Sequence, residues 1–244
     1  MMLITGGSGK LGRELRRIFP EALAPDRLEL DISSRDSVRA FIRAHRPGVV
    51  VHAAAFTSVQ AAEHERERCW GVNVRGTEWL VEALEAESAG CHLVYVSTAC
   101  VFHGDRGGYT ESDVPYPKNF YGLTKLMGES AARRLRSHLV IRTNFVARGA
   151  WPYPVAFVDR FGTYLYADEV ARAIGDLVSG RLTGVVHVAG DRKLSMFDLA
   201  ALTTPSVQPI SMREVSLPLT VDMSLGSIRI AAFRLTPAAL SAIG

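Results

Sequence analysis

The chain is 244 residues long, 48% hydrophobic and 22% charged, the composition of a globular domain, which excludes a disordered or fibrous protein. Its 28 Lys and Arg against 25 Asp and Glu leave a formal net charge of +3, with no long block of one sign, so nucleic acid is not an expected partner. The longest nearly uninterrupted apolar run, Val49 to Phe56, is far short of the roughly 20 residues that span a bilayer, and no membrane association is expected. Met1-Met2-Leu3-Ile4 runs straight into Thr5-Gly6-Gly7 without a basic leader or an apolar signal segment, a pattern that points to the cytoplasm. Cys69, Cys91 and Cys100 are an odd number without CxxC spacing, so they read as reduced packing residues. The histidines show no metal-ligand spacing and no metal is expected, with His52 and His187 read as packed on strands.

Short β-branched runs alternate with longer amphipathic stretches, the pattern of a parallel sheet covered by helices. In chain order the sequence predicts strands at Met2 to Thr5, Gly48 to Ala53, His92 to Ser97, Leu139 to Thr143 and Val185 to Val188. Helices are predicted near Leu11 to Phe19, Ser34 to His45, Trp70 to Glu87, Phe120 to Arg136 and Asp168 to Ser179. Val49-Val50-Val51 is apolar on both faces, as a strand between two helical layers must be. The run Glu63-His64-Glu65-Arg66-Glu67-Arg68 reads as a solvated helical face. Trp151-Pro152-Tyr153-Pro154 breaks regular structure, and Pro205, Pro209, Pro218 and Pro237 prevent long helices in the tail. The fold class is therefore α/β, a Rossmann-type doubly wound sheet with a small, reduced C-terminal lobe. Residues 1–150 are expected to form the dinucleotide-binding domain, with elements to about residue 190 contributing, and residues 151–244 the interleaved lobe.

Directly after the first strand lies Gly6-Gly7-Ser8-Gly9-Lys10-Leu11-Gly12, leading into a helix. Only residues without Cβ allow such a tight turn and let backbone N–H groups approach a pyrophosphate at the helix N-terminus. Position at the first strand-to-helix junction makes dinucleotide binding the preferred reading. About 20 residues on, an acid would hold the ribose 2′-hydroxyl of NAD and a base the 2′-phosphate of NADP, and the sequence offers both, Asp26-Arg27. Asp31 either faces the adenine or caps the following helix.

Tyr121 and Lys125 stand four residues apart on one face of a helix. A phenol near its reference pKa of about 10 is a poor proton carrier at neutral pH, and a nearby ammonium is expected to lower it. Ser97-Thr98 closes a strand, where active sites of open α/β sheets form, so the Thr98 hydroxyl is placed to hold a substrate oxygen beside Tyr121.

Together these residues resemble the extended short-chain dehydrogenase/reductase family, and within it most closely the dTDP-4-dehydrorhamnose reductases. The likeness rests on Leu28-Glu29-Leu30-Asp31-Ile32, His52 to Thr57, Ser97 to Gly104, Asn119 to Glu129 and Arg142-Thr143-Asn144-Phe145, and it covers roughly residues 1–190. It implies NADPH- or NADH-dependent reduction of a 4-keto group on a nucleotide-linked deoxysugar. Tyr121 would donate the proton, Lys125 would tune it and orient the nicotinamide ribose, and Thr98 would polarise the carbonyl. Gly6, Gly9, Lys10, Leu11 and Gly12 would surround the pyrophosphate, Asp31 and Ile32 the adenine, and Ala53, Ala54 and Ala55 the ribose and nicotinamide. Thr98, Ala99 and Phe145 would meet the sugar. A homodimer built on the helices near Trp70 to Glu87 and Phe120 to Arg136 is also implied.

The chain departs from the family pattern at Ala99-Cys100, at Gln60-Ala61 and in the shortened stretch between Arg142 and Thr163. A sugar-nucleotide epimerase, another ketone reductase, or a non-catalytic cofactor-binding subunit like the regulatory subunit of methionine adenosyltransferase are the alternatives.

Overall fold

In the computed structural model, which describes residues 1–236, the apolar alternation of the sequence becomes two separate cores, one on each face of a parallel sheet. The chain opens with β1 (Met2–Thr5), α1 (Lys10–Ile18), α2 (Arg35–His45), β2 (Val49–His52), α3 (Val59–His64), α4 (Arg66–Trp70) and α5 (Gly76–Glu87). There follow β3 (His92–Thr98), α6 (Phe120–Ala132) and β4 (His138–Thr143). The remainder comprises β5 (Phe145–Val146), β6 (Val155–Phe157), β7 (Phe161–Gly162), β8 (Leu165–Tyr166), α7 (Ala167–Ser179), β9 (Gly184–Val188), β10 (Leu194–Ser195), α8 (Met196–Ala201) and β11 (Gln208–Ile210).

The main sheet runs β1-β2-β3-β4-β9, all parallel. Successive side chains point to opposite faces. Leu3, Val50, Leu93, Tyr95 and Val140 pack with α2, α5 and α6, whereas Ile4, Val51, Val94, Ile141 and Val186 pack with α1 and α7. Each fully buried aliphatic side chain contributes about 1.5–3 kcal/mol, and covering both faces is why the middle of each strand is apolar on both sides. Outside β1 the chain makes one parallel bridge, Leu23 to Leu3, held by Ile4 N donating to the Leu23 carbonyl at 2.7 Å. This lone bridge stands where a longer edge strand would lie, and Pro20 and Pro25 on either side of it remove ladder donors.

The predicted strands and helices lie where expected, with ends shifted by a few residues. Two differences have physical causes. The helix expected over Trp70 to Glu87 begins at Arg66 and widens to a π turn over Gly71–Arg75, which seats the buried Asn73 side chain against Phe56. The acidic and basic run Glu63 to Arg68 is solvated from His64 onward, but it spans two helices rather than one, because the chain breaks between α3 and α4. Its carboxylate Glu63 accepts from Phe120 N at 2.7 Å, and Arg68 lines the cleft described below. From Thr203 on, as the prolines require, there is no long helix among the described residues, only the three-residue β11 and a 3-10 turn at Met212–Glu214.

The lobe is built from three small pairings, β5 with β8, β6 with β11 and β7 with β10, around its own clusters at Tyr164, Tyr166, Leu199 and Leu235 and at Ala156, Ala200 and Val207. Between these pairings α7 and β9 return to the main sheet, so the lobe and the sheet are interleaved in sequence. Pro237 and the end of the expected 151–244 lobe lie outside the described residues. Cys69, Cys91 and Cys100 are free and buried, and His52 and His187 are buried on strands. No helix among the described residues is long and apolar enough to cross a membrane.

Candidate functional site

A cleft of about 750 Å³ runs along the carboxyl ends of β1, β2, β3 and β4, within the size range of cofactor and ligand sites. One end is backbone. Gly6 adopts φ +74°, and a Cβ there would lie 2.7 Å from the Ala54 backbone. A Cβ on Gly12 would lie 2.1 Å from the Gly6 carbonyl oxygen. The turn and the start of α1 are therefore packed main chain on main chain, and the α1 N-terminus behind Gly9 has no side-chain cap, leaving its donors for an anion. Gly6, Gly9, Lys10, Leu11 and Gly12 all line the cleft, as do Asp31, Ile32, Ala53, Ala54 and Ala55. The cradle and the volume fit a dinucleotide.

At the same end Asp26 is already engaged. Its Oδ1 accepts from Leu28 N at 2.8 Å and Glu29 N at 3.0 Å, an Asx turn. Arg27 lines the cleft and is 71% exposed, with only a 3.5 Å approach to Asp31. Asp31 is not the cap of α2. Ser34 fills that role, accepting from Ser37 N, while Asp31 Oδ1 accepts from the Ser33 hydroxyl and amide at 2.6 and 2.9 Å. The Ser33 hydroxyl is the main influence holding the Asp31 carboxyl below its usual range.

The other end is set by β3 and α6. Asn119 caps α6 by accepting from Gly122 N at 2.8 Å, and with Glu63 on Phe120 N it fixes the first turn that carries Tyr121. Thr98, the last residue of β3, accepts from Cys100 N at 3.1 Å, so its hydroxyl proton remains to be donated. Thr98, Tyr121, Lys125 and Phe145 all line the cleft. Ala99 does not. The 3-10 turn after Thr98 swings it inward to full burial.

The electrostatics also differ from expectation. Burial pushes the Tyr121 phenol above its ordinary value, and the adjacent Thr98 side chain pulls it back only in part. The Lys125 Nζ lies over the Tyr95 ring, 4.1 Å from the centroid. Burial lowers Lys125 itself to about 7, against an opposing pull from Glu129.

Several residues that sequence reasoning passed over complete the site. Ser97 lines the cleft and donates to Glu129 Oε1 at 2.6 Å. Glu129 is fully buried and receives a two-pronged bond from Arg142, Nε to Oε1 at 2.9 Å and Nη2 to Oε2 at 2.8 Å. Arg142 Nη1 approaches His187 Nε2 at 3.5 Å, and His187 Nδ1 faces the Gly226 carbonyl at 2.9 Å. This hub ties β3, β4, β9 and α6 directly beneath the cleft. Its signal in the sequence was a charge in the middle of the apolar run Leu139-Val140-Ile141-Arg142. Asn73, whose amide also donates to Thr124 Oγ1 at 2.9 Å, holds the Phe56 backbone beside the three alanines.

Residues 1–151 match the model of the RmlD substrate binding domain. The chain is 33% identical over 226 residues to a dTDP-4-dehydrorhamnose reductase of Aggregatibacter actinomycetemcomitans, covering 82% of this chain and 76% of that protein. Over 139 residues it is 34% identical to methionine adenosyltransferase 2 subunit beta of Danio rerio, covering 52% of this chain and 42% of the other. Among solved structures, a dTDP-4-dehydrorhamnose reductase of Bacillus anthracis in complex with NADP superimposes with a TM-score of 0.85 at 27% identity, covering 92% of this chain and 89% of that one.

Proposed function

Because the chain belongs to the RmlD substrate binding domain family, we propose that it reduces the 4-keto group of a nucleotide-linked deoxysugar, using NADPH or NADH, as dTDP-4-dehydrorhamnose reductases do. The observation that carries this reading is the meeting of a backbone-built dinucleotide cradle with Thr98, Tyr121 and Lys125 in one cleft. When bound, the reduced nicotinamide supplies the hydride.

The chain's own groups supply the rest. Tyr121 donates its proton to the carbonyl oxygen as negative charge develops there. Thr98 donates to the same oxygen, since Cys100 N already occupies its acceptor side. Lys125 presents N–H donors to ribose hydroxyls and a positive charge toward the developing phenolate. The N-terminus of α1, with Gly6, Gly9, Lys10, Leu11 and Gly12, receives the pyrophosphate, and Asp31 and Ile32 border the adenine. Ala53, Ala54 and Ala55 leave room for the ribose and nicotinamide, and Phe145 packs against the sugar. Arg27 favours the 2′-phosphate of NADPH, because the Asp26 carboxylate is committed to its turn. Elimination of water is disfavoured, since Ala99 and Cys100 supply no acid beside Thr98.

Residues after 150, apart from α7 and β9, serve as the lobe that receives the sugar nucleotide. The enzyme works in the cytoplasm as a homodimer that pairs its α5 and α6 faces; light scattering after size exclusion tests the pairing, and a monomer mass rejects it. To test the activity, NADPH or NADH oxidation is followed with a panel of 4-keto nucleotide sugars beside a Tyr121→Phe control. Turnover that vanishes in the variant supports the reading. Tight cofactor binding without turnover on any ketone moves it to a regulatory subunit.

A further inference from the structure

We propose that Tyr95 is a positioning residue for Lys125, its ring face acting as the seat that holds the ammonium toward the cleft in place of a carboxylate. The inference rests on the reading of Lys125 given above. Tyr95 sits in the middle of β3 and is completely buried, and Lys125 is 3% exposed. The ammonium stands 4.1 Å from the ring centroid, inside the range of a cation–π contact. The Tyr95 hydroxyl lies 3.4 Å from the Lys125 carbonyl oxygen, so the same ring meets both the main chain and the tip of this one residue. Gly128 makes this possible, since a Cβ there would fall 2.1 Å from the Tyr95 hydroxyl. The helix crosses the ring only because it carries no side chain at that point.

The groups facing Lys125 leave no competing seat. Glu129 and Tyr121 lie on its own helix, Cys69 comes from α4, His52 from β2 and Tyr95 from β3. Burial holds the Cys69 thiol and the two phenols in their neutral forms, and burial with the Lys125 charge holds His52 down to about 3. Glu129 is the one anion, and both of its oxygens are taken by Ser97, Arg142 and Arg133. Among the described residues no carboxylate forms an ion pair with Lys125. A ring face attracts the cation without consuming its three N–H donors, which stay available for ribose hydroxyls. A carboxylate would have bound those donors and neutralised the charge.

The test compares Tyr95→Phe, which keeps the ring, with Tyr95→Leu, which removes it, and uses Lys125→Met as the benchmark. Melting, NADPH affinity by fluorescence and the pH profile of kcat are recorded for each. Tyr95→Phe should match the parent enzyme. Tyr95→Leu should weaken NADPH binding about tenfold and move the alkaline limb of the profile about one unit lower, because a less stabilised ammonium loses its proton sooner. A folded Tyr95→Leu enzyme with unchanged affinity and profile overturns the seat. If that variant does not fold, Tyr95→pentafluorophenylalanine keeps the shape while reversing the charge of the ring face, and behaviour identical to Tyr95→Phe then overturns it. Full turnover in Lys125→Met refutes the reading of Lys125 itself, and the seat with it.

Discussion

Replacing Glu129 by Gln removes one charge from the hub beneath the cleft while keeping its volume. The Arg142 side chain is 2% exposed and that of Glu129 0%, so the guanidinium left behind is cut off from water. Its remaining neighbours are a neutral ring, with the Phe102 centroid at 5.1 Å, and His187, which burial keeps neutral. The amide oxygen of Gln can still accept one bond, but its NH₂ faces Arg142 donors. Breaking one partner of a buried pair costs about 3–5 kcal/mol. For a chain of this size, at about 2–4 °C per kcal/mol, the melting temperature should fall by about 6–20 °C. Calorimetry or circular dichroism without cofactor measures this directly, free of stabilisation by bound ligand. The double variant Glu129→Leu with Arg142→Met should recover most of the loss, because a buried pair exchanged for apolar groups is often close to neutral. A single variant that melts within about 2 °C of the parent would refute the claim that this pair is desolvated and mutually dependent.

Other consequences are open to measurement. Gly12→Ala puts a methyl group into the Gly6 carbonyl; it should cost about 1–3 kcal/mol by overpacking and sharply weaken NADPH binding, and unchanged binding by calorimetry would contradict the backbone cradle. Arg27→Ala should raise the Kd for NADPH about tenfold while leaving NADH unaffected, as expected for losing an exposed phosphate contact; equal losses for both cofactors would place the side chain elsewhere. His52, buried between Thr5 and Thr77, is lowered to about 3. Below about 6.5 the unfolded chain binds a proton there that the folded chain refuses, so stability falls by about 1.4 kcal/mol per pH unit as pH drops toward 3. His52→Gln should flatten that acid slope, and an identical slope in urea titrations would assign acid sensitivity to other groups.

The parts of the molecule legible from sequence are those in which one residue type answers one physical demand. Val49-Val50-Val51 had to be a strand covered on both faces, and Gly6 and Gly12 had to be glycines. Tyr121 and Lys125 shared a helix face by spacing alone. What could not be read depended on contacts between distant elements. Ser97, Glu129 and Arg142 come from three segments, and only the misplaced charge in β4 hinted at their meeting. The burial of Ala99 could not be read either, because the chain turns inward immediately after the strand, which periodicity does not report. The position of Tyr95 beneath the Lys125 ammonium was hidden for a similar reason, since it depends on how α6 crosses β3. In the tail, strands two or three residues long give no repeat from which a period can be recognised.

The two ends of the cleft differ in how freely they can change. At the cofactor end the contacts are main chain against main chain, around Gly6, Gly12 and Ala54, so almost any added atom is a collision. The lobe at the other end rests on short pairings and on clusters separate from the two sheet cores. Changes confined to those clusters meet neither sheet core, whereas Phe145, Ile230 and Phe233 pack against one of them. New substrates are therefore reached by redrawing the lobe around Ala156, Ala200 and Val207, while the chemistry stays anchored to a frame that tolerates very little alteration.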